Sequence, residues 1–78
     1  MPTILNIEGY RFYFYSNEGR EPAHIHVQKE RAIAKFWLKP VFLASSVRFS
    51  PKEIRDIQRL VENNHSQFIE AWNEYFKS

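Results

Sequence analysis

The first half of the chain alternates hydrophobic and polar residues with a period of two, a pattern typical of strands with one buried face. Strands are predicted over Thr3–Ile7, Tyr10–Tyr15, His24–Lys29 and Ala32–Leu38, and Val41–Val47 is interpreted as a short fifth strand or an edge segment. Turn residues separate these runs at Glu8-Gly9, at residues 16–19 and at Lys39-Pro40. Because Pro22 has no backbone N–H, the third strand is expected to begin after it. Successive hairpins of this kind predict a mainly antiparallel sheet.

The pattern changes to a helical period at Ser50. Ser50-Pro51-Lys52-Glu53 places a hydroxyl at the N-cap, a proline at the first helical position and a carboxylate where it closes a capping box. An apolar stripe then continues to Phe76 with little change of phase. One straight helix over this span would be about 39 Å long, too long for so small a domain. Two helices, or one sharply bent helix, are therefore predicted, with a left-handed break at Asn63-Asn64.

Together these elements predict an α+β fold. A mainly antiparallel sheet of four to five strands is followed by the C-terminal helices, which pack on one face of it. The whole chain of 78 residues is interpreted as one domain, with a β half over residues 1–49 and a helical half over residues 50–78. A domain of this size buries only roughly 60% of its unfolded surface. The seven phenylalanines, four tyrosines and two tryptophans supply the dense core that it needs.

Composition narrows the functional classes. The chain has no cysteine, which excludes disulfides, thiolate metal sites and a thiol nucleophile. No signal-peptide pattern and no apolar run of membrane-spanning length occurs, so a cytoplasmic protein that does not act at a membrane is expected. The formal net charge of +2 permits weak attraction to nucleic acid. No nucleotide-binding motif is found, and no cofactor is predicted.

Ionisable side chains are concentrated in REPAHIHV, residues 20–27. Alternation along the predicted strand sends His24 and His26 to one face, and Ile25 and Val27 to the other, where they join the core under the helices. The histidines are therefore expected on an open sheet face. If the strands pair in sequence order, that face also carries the side chains of Tyr13, Tyr15, Lys35 and Trp37, with Arg20 and Glu21 at its rim. A slip of one residue in register would reverse this arrangement.

Several interpretations of this face compete. The two histidines, with Glu21, have the spacing of some metal sites, but no third ligand is evident unless the fold supplies Glu18 or His65. As acid and base they would act on a phosphodiester, while Arg20 or Lys35 stabilises the anionic transition state and Glu21 orients a histidine. RNA supplies its own 2′-hydroxyl nucleophile, so that chemistry needs no metal.

Other interpretations need no chemistry from the histidines. Single-stranded nucleic acid would stack on aromatic side chains and meet basic ones, here Tyr13, Tyr15 and Trp37 with Arg11 and Lys35. Alternatively, the histidines are ordinary surface residues, and the aromatic side chains belong to a dimer or partner interface. His65, on the apolar stripe of the helical half, is interpreted as a hydrogen-bonded packing residue rather than a ligand.

The combination of YRFYFYSNEGREPAHIHV, AKFWL, FSPKEI and EAWNEYF resembles a small uncharacterised bacterial family, domain of unknown function DUF4160. The resemblance extends from Pro2 to Phe76. Members of that family are often encoded beside another small protein, in an arrangement typical of toxin and antitoxin pairs. The resemblance therefore implies a toxin-like protein held inactive by a small antitoxin-like partner.

These observations lead to one functional hypothesis and one alternative. The hypothesis is a toxin-like component of a bacterial toxin–antitoxin pair that acts on RNA through the open sheet face, as a metal-independent ribonuclease. Its catalytic candidates are Arg20, Glu21, His24, His26 and Lys35, and its nucleic-acid-binding candidates are Arg11, Tyr13, Tyr15 and Trp37. The alternative is a non-catalytic module that binds a protein or a nucleic acid through the same face.

Overall fold

A computed structural model describes residues 3–15 and 19–76. Five antiparallel strands form one sheet in sequence order, and two helices pack against it. The strands are β1 (Thr3–Ile7), β2 (Tyr10–Tyr13), β3 (His24–Lys29), β4 (Ala32–Leu38) and β5 (Val41–Val47), and the helices are α1 (Pro51–Asn63) and α2 (His65–Phe76). The predicted α+β class and the fifth strand are confirmed. β2 ends at Tyr13, two residues before its predicted end, and Ser16–Glu18 of the predicted turn lie outside the described residues.

The register of the sheet brings the predicted site residues onto one face. Tyr13 pairs with His26, His26 with Lys35, and Lys35 with Ser45, so one row of side chains crosses four strands. A neighbouring row joins His24, Trp37 and Phe42. The predicted pairing in sequence order is confirmed. Between these two rows β5 carries a bulge, which shifts its register against β4.

The turns of the first hairpins use left-handed backbone. Glu8 and Gly9 have φ angles of 53° and 85°, the combination that two-residue hairpins favour because its twist matches that of the strands. Glu30 starts the turn between β3 and β4 with a φ of 54°. A side chain is strained in this region, whereas glycine is not. The Lys39–Pro40 peptide bond between β4 and β5 is cis.

The hydrophobic core lies between the inner face of the sheet and the two helices. Its fully buried members include Phe12, Phe14, Ile25, Val27 and Phe36 from the β half, and Ile57, Val61 and Phe68 from the helices. α1 begins at Pro51 as predicted. The hydroxyl of Ser50 accepts a hydrogen bond from the backbone N–H of Glu53 at 3.1 Å, and the Glu53 carboxylate accepts one from the backbone N–H of Ser50 at 2.9 Å. The predicted capping box is therefore confirmed.

The two helices separate at Asn64, but the predicted left-handed break is wrong. Asn64 has a φ of −112°, and its side-chain amide donates to the carbonyl of Leu60 at 2.8 Å. This hydrogen bond satisfies the end of α1, so no left-handed residue is needed. At the start of α2, the Nε2–H of His65 donates to the carbonyl of Leu38, which confirms the predicted packing role of His65. Among the described residues, no helix has the length and apolar composition needed to cross a membrane.

Candidate functional site

The sheet face opposite the helices carries the candidate site, and we call it the outer face. Its central side chains come from three strands and from the residues after β2: Arg11, Tyr13, Tyr15, His26, Lys35 and Trp37. β5 adds Phe42, Ser45 and Val47, which pair with outer-face residues of β4. The predicted set of aromatic, basic and imidazole side chains is thus brought together on one face.

His26 lies between two tyrosines. Its ring is nearly parallel to that of Tyr13, with centroids 5.4 Å apart and an interplanar angle of 23°. Tyr15 approaches it edge-on at 4.7 Å. The two phenol oxygens are 3.5 Å apart. These contacts restrict the orientation of the His26 imidazole, which remains partly exposed.

Tyr13 is not the open stacking surface that the sequence predicts. Its side chain is 3% exposed, because the Arg11 guanidinium lies 4.4 Å from one ring face and His26 stacks on it. Arg11 in turn donates to the Gln28 side chain at 3.1 Å and to the Thr3 hydroxyl at 3.0 Å. Tyr13 therefore packs between Arg11 and His26 and does not present an open ring to a ligand. Tyr15, at 38% exposed, offers a more accessible ring.

His24 is fully buried, so the expectation that both histidines are open to solvent is wrong for this residue. His24 begins β3 at the end of the sheet, and Trp72 of α2 packs against its ring with centroids 4.8 Å apart. Its Nδ1–H donates to the carbonyl of Pro22 at 2.9 Å. The ring meets His26 edge-on at 5.1 Å. His24 thus lies on the predicted face, but it is buried next to His26 and is not open to solvent.

Lys35 has two close neighbours at the rim of the outer face. Its ammonium is 2.6 Å from a carboxylate oxygen of Glu21 and 4.6 Å from the centre of the Trp37 ring. The same Glu21 oxygen is 4.0 Å from the Nδ1 of His24, longer than a hydrogen bond. The hydrogen bond to the Pro22 carbonyl therefore sets the orientation of His24, and the orienting role of Glu21 stays a prediction. Arg20 is exposed in the loop before β3.

A shallow pocket of about 210 Å³ opens on the outer face beside His26. Its walls include Tyr15, His26 and Lys35 on one side and Ser45 and Val47 of β5 on the other. The side chains of His26, Tyr15, Lys35 and Ser45 thus line one pocket on the outer face. Among the described residues, no three histidine, aspartate or glutamate side chains form a metal-binding group.

The model of a family described as Domain of unknown function (DUF4160) matches residues 9–73, well over half of the chain. The chain belongs to this family. The DUF4160 match spans all outer-face residues named above, from Arg11 to Val47. No curated protein and no solved structure matches the chain.

Sequence patterns missed the contribution of β5 to the site of this DUF4160 chain. Ser45 and Val47 complete the pocket, and Phe42, at 51% exposed, lies beside Trp37. The signal for Phe42 was its position directly across the β4–β5 hairpin from Trp37. The bulge before Ser45 changes which side chains of β5 face outward, so alternation alone does not place all of them.

Proposed function

We propose that this DUF4160 chain is the toxin-like component of a two-protein module and that it cleaves single-stranded RNA at the outer-face pocket. The observation that carries the proposal is the convergence of His26, Lys35 and Tyr15 on that pocket. Imidazole transfers protons near neutral pH, an ammonium stabilises developing anionic charge, and an exposed aromatic ring stacks on a base. The toxin-like assignment is supported by the sequence resemblance.

In the proposed reaction, His26 acts as general base. It accepts the proton of an RNA 2′-hydroxyl, and the 2′ oxygen forms a bond to the adjacent phosphorus while the bond to the 5′ oxygen breaks. The leaving 5′ oxygen takes a proton from water, and the products end in a 2′,3′-cyclic phosphate and a 5′-hydroxyl. Lys35 stabilises the negative charge on the phosphoryl oxygens. The step uses the 2′-hydroxyl of RNA as its nucleophile.

The remaining candidates support these two residues. His24 is buried, so we assign it a positioning role through its ring contact with His26, instead of the acid or base role that the sequence favours. Glu21 holds the Lys35 ammonium above Trp37. Arg20, exposed in the preceding loop, meets phosphates of a longer RNA strand.

Induced expression in bacterial cells tests the proposal. The wild type is expected to arrest growth, and His26→Gln is expected to abolish the arrest because glutamine cannot act as the base. His65→Gln is the matched control, since His65 lies at the start of α2 and contacts the Leu38 carbonyl away from the pocket. Circular dichroism and soluble yield should be the same for both variants.

Two results would overturn the proposed chemistry. Equal arrest by the wild type and a folded His26→Gln variant would exclude His26 as the essential base. RNA cleavage by the purified protein that stops when a chelator is added would show that a metal ion is required, which this reaction does not include. Absence of arrest from a well-expressed wild type would remove the toxin-like assignment.

A second candidate function is supported by the apolar edge of the outer face. Ile33 and Val47 pair across β4 and β5 and are 45% and 50% exposed. Exposed apolar pairs of this kind are typical of the buried centre of protein interfaces. The alternative proposal is a non-catalytic module whose outer face binds an antitoxin-like protein. Ile33→Lys would then prevent assembly with the partner, whereas His26→Gln, which introduces no charge, would weaken assembly far less.

A further inference from the structure

The Trp37–Phe42 pair is an exposed aromatic surface that the proposed reaction does not use. The two residues pair directly across β4 and β5 on the outer face. Phe42 is 51% exposed and Trp37 is partly exposed, so neither ring is needed to fill the core. An exposed pair of large aromatic side chains is available to stack with a ligand.

We propose that Trp37 and Phe42 form a second base-stacking platform, so that the outer face binds two consecutive nucleotides of single-stranded RNA. One base enters the pocket beside His26, the next stacks on the platform, and the phosphate between them meets Lys35. This inference rests on the proposed function, because it assumes that the pocket takes RNA. It extends the proposed substrate to a strand segment of at least two nucleotides. It also adds Phe42 as a binding residue.

The order of side chains along β4 supports this path. Ile33 and Lys35 line the pocket, and Trp37 follows on the same face. Alternate residues of a strand are about 7 Å apart, so the pocket and the platform lie on opposite sides of Lys35. The Lys35 ammonium is 4.6 Å from the Trp37 ring centre. A phosphate at Lys35 therefore brings an adjoining base within reach of Trp37.

The chemistry of the surroundings favours an anionic ligand over an apolar peptide. The Lys35 ammonium lies against the Trp37 ring of the platform, and Ser45 pairs with Lys35 from β5. Single-strand binding sites combine aromatic platforms with basic side chains in this way. The Lys35 ammonium forms an ion pair with Glu21 at 2.6 Å, and the Glu21 side chain is 44% exposed, which leaves room for its carboxylate to move aside.

Binding of oligouridylates to the full chain tests the platform. In an otherwise wild-type chain, Phe42→Ala is expected to weaken binding of a uridine dinucleotide about tenfold or more, the usual loss for one stacked base. Phe42→Leu is expected to give a similar loss, because leucine is apolar but has no flat ring. Tyr75→Ala is the matched control. It removes a comparably exposed aromatic ring, 45% exposed, from α2.

Tryptophan fluorescence gives a second, independent readout. The chain has two tryptophans, and Trp72 packs in the core, so Trp72→Phe leaves Trp37 as the remaining indole. Stacking of a base on Trp37 is expected to quench its emission as the dinucleotide is added. Uridine monophosphate is expected to bind more weakly and to quench less, because it can occupy the pocket without reaching the platform.

The outcomes separate this inference from the proposed function. RNA binding that is unchanged in Phe42→Ala and Phe42→Leu overturns the platform and leaves the pocket as the RNA site. Full affinity in Phe42→Leu with a loss in Phe42→Ala also overturns it, because the contact is then apolar rather than stacking, as expected for a protein partner. Absence of any binding of single-stranded RNA by the wild type overturns both.

Discussion

At the level of single residues, the proposed RNA site contains an ion pair between Glu21 and Lys35. The Glu21 carboxylate oxygen lies 2.6 Å from the Lys35 ammonium, so bound RNA must share or displace this ion pair. We expect Glu21→Gln to bind single-stranded RNA several-fold more tightly, as one removed negative charge near a phosphate lowers repulsion. Glu70→Gln makes the same charge change on the exposed side of α2 and should have little effect. Titration at two salt concentrations checks this, and weaker binding by Glu21→Gln would refute it.

Glu30 has a backbone conformation that its side chain disfavours. With a φ of 54°, it lies in the left-handed region, where an L-residue costs roughly 1–2 kcal/mol. Glu30→Gly should raise the free energy of unfolding by about 0.5–1 kcal/mol, after the greater flexibility of glycine in the unfolded chain is included. Glu30→Ala removes the same carboxylate but keeps the strain. Urea denaturation should therefore show a gain for glycine that alanine lacks, and equal stability of the two variants would contradict this explanation.

The burial of single residues is the property that the sequence patterns did not predict. Alternation correctly assigned His24 and His26 to the outer face, yet it gave no means of predicting their different exposure. The difference arises because His24 stands at the end of the sheet, where Trp72 from the distant α2 packs against it. Exposure of that kind depends on tertiary packing, whereas the face of a strand residue follows from local geometry.

At the level of elements, the N-terminus of α1 makes a pH-dependent contribution to stability. The hydrogen bond from the Ser50 backbone N–H holds the pKa of the Glu53 carboxyl below its ordinary value of 4.5. Because the folded-state pKa is lowered, the stabilisation is complete above the ordinary value and is lost as the pH falls through the folded-state value. The stability difference between the wild type and Glu53→Gln should therefore shrink on acidification. Urea denaturation between about pH 3 and 7 measures it.

The other half of the same capping box can be tested at neutral pH. Ser50→Ala removes the hydroxyl that accepts from the Glu53 N–H and should lower the free energy of unfolding by about 1 kcal/mol. Ser50→Thr keeps a hydroxyl at the N-cap and should retain most of the stability. A loss of equal size in both variants would show that the cap hydrogen bond is not the cause.

Element boundaries were largely predictable because their signals are local. The capping box fixes the start of α1, and the turn at Glu8-Gly9 sets the first hairpin. The position of the break at Asn64 was predicted, but its cause was not. A side-chain hydrogen bond from Asn64 to the Leu60 carbonyl ends α1, where a left-handed residue was expected. The outward direction of Ser45 depends on pairing with β4 through a bulge, which no local pattern reveals.

At the level of the whole molecule, one face of the sheet packs against the helices, and the proposed binding site lies on the other face. Both helices bury the inner face, and α2 reaches the end of β3, where Trp72 covers His24. The outer face keeps His26, Lys35 and the exposed residues of β5. Its exposure on a small domain accounts for both proposed uses, RNA binding and contact with a protein partner.

Cleavage of RNA by the purified chain tests the central claim most directly. A 5′-labelled single-stranded RNA is incubated with the wild type, with His26→Gln and with the control His65→Gln, each in the presence of a chelator. The wild type and His65→Gln should release products that end in a 2′,3′-cyclic phosphate, and His26→Gln should be about 100-fold slower or more. RNA that stays intact with the folded wild type, or that His26→Gln cleaves at the wild-type rate, would contradict the account.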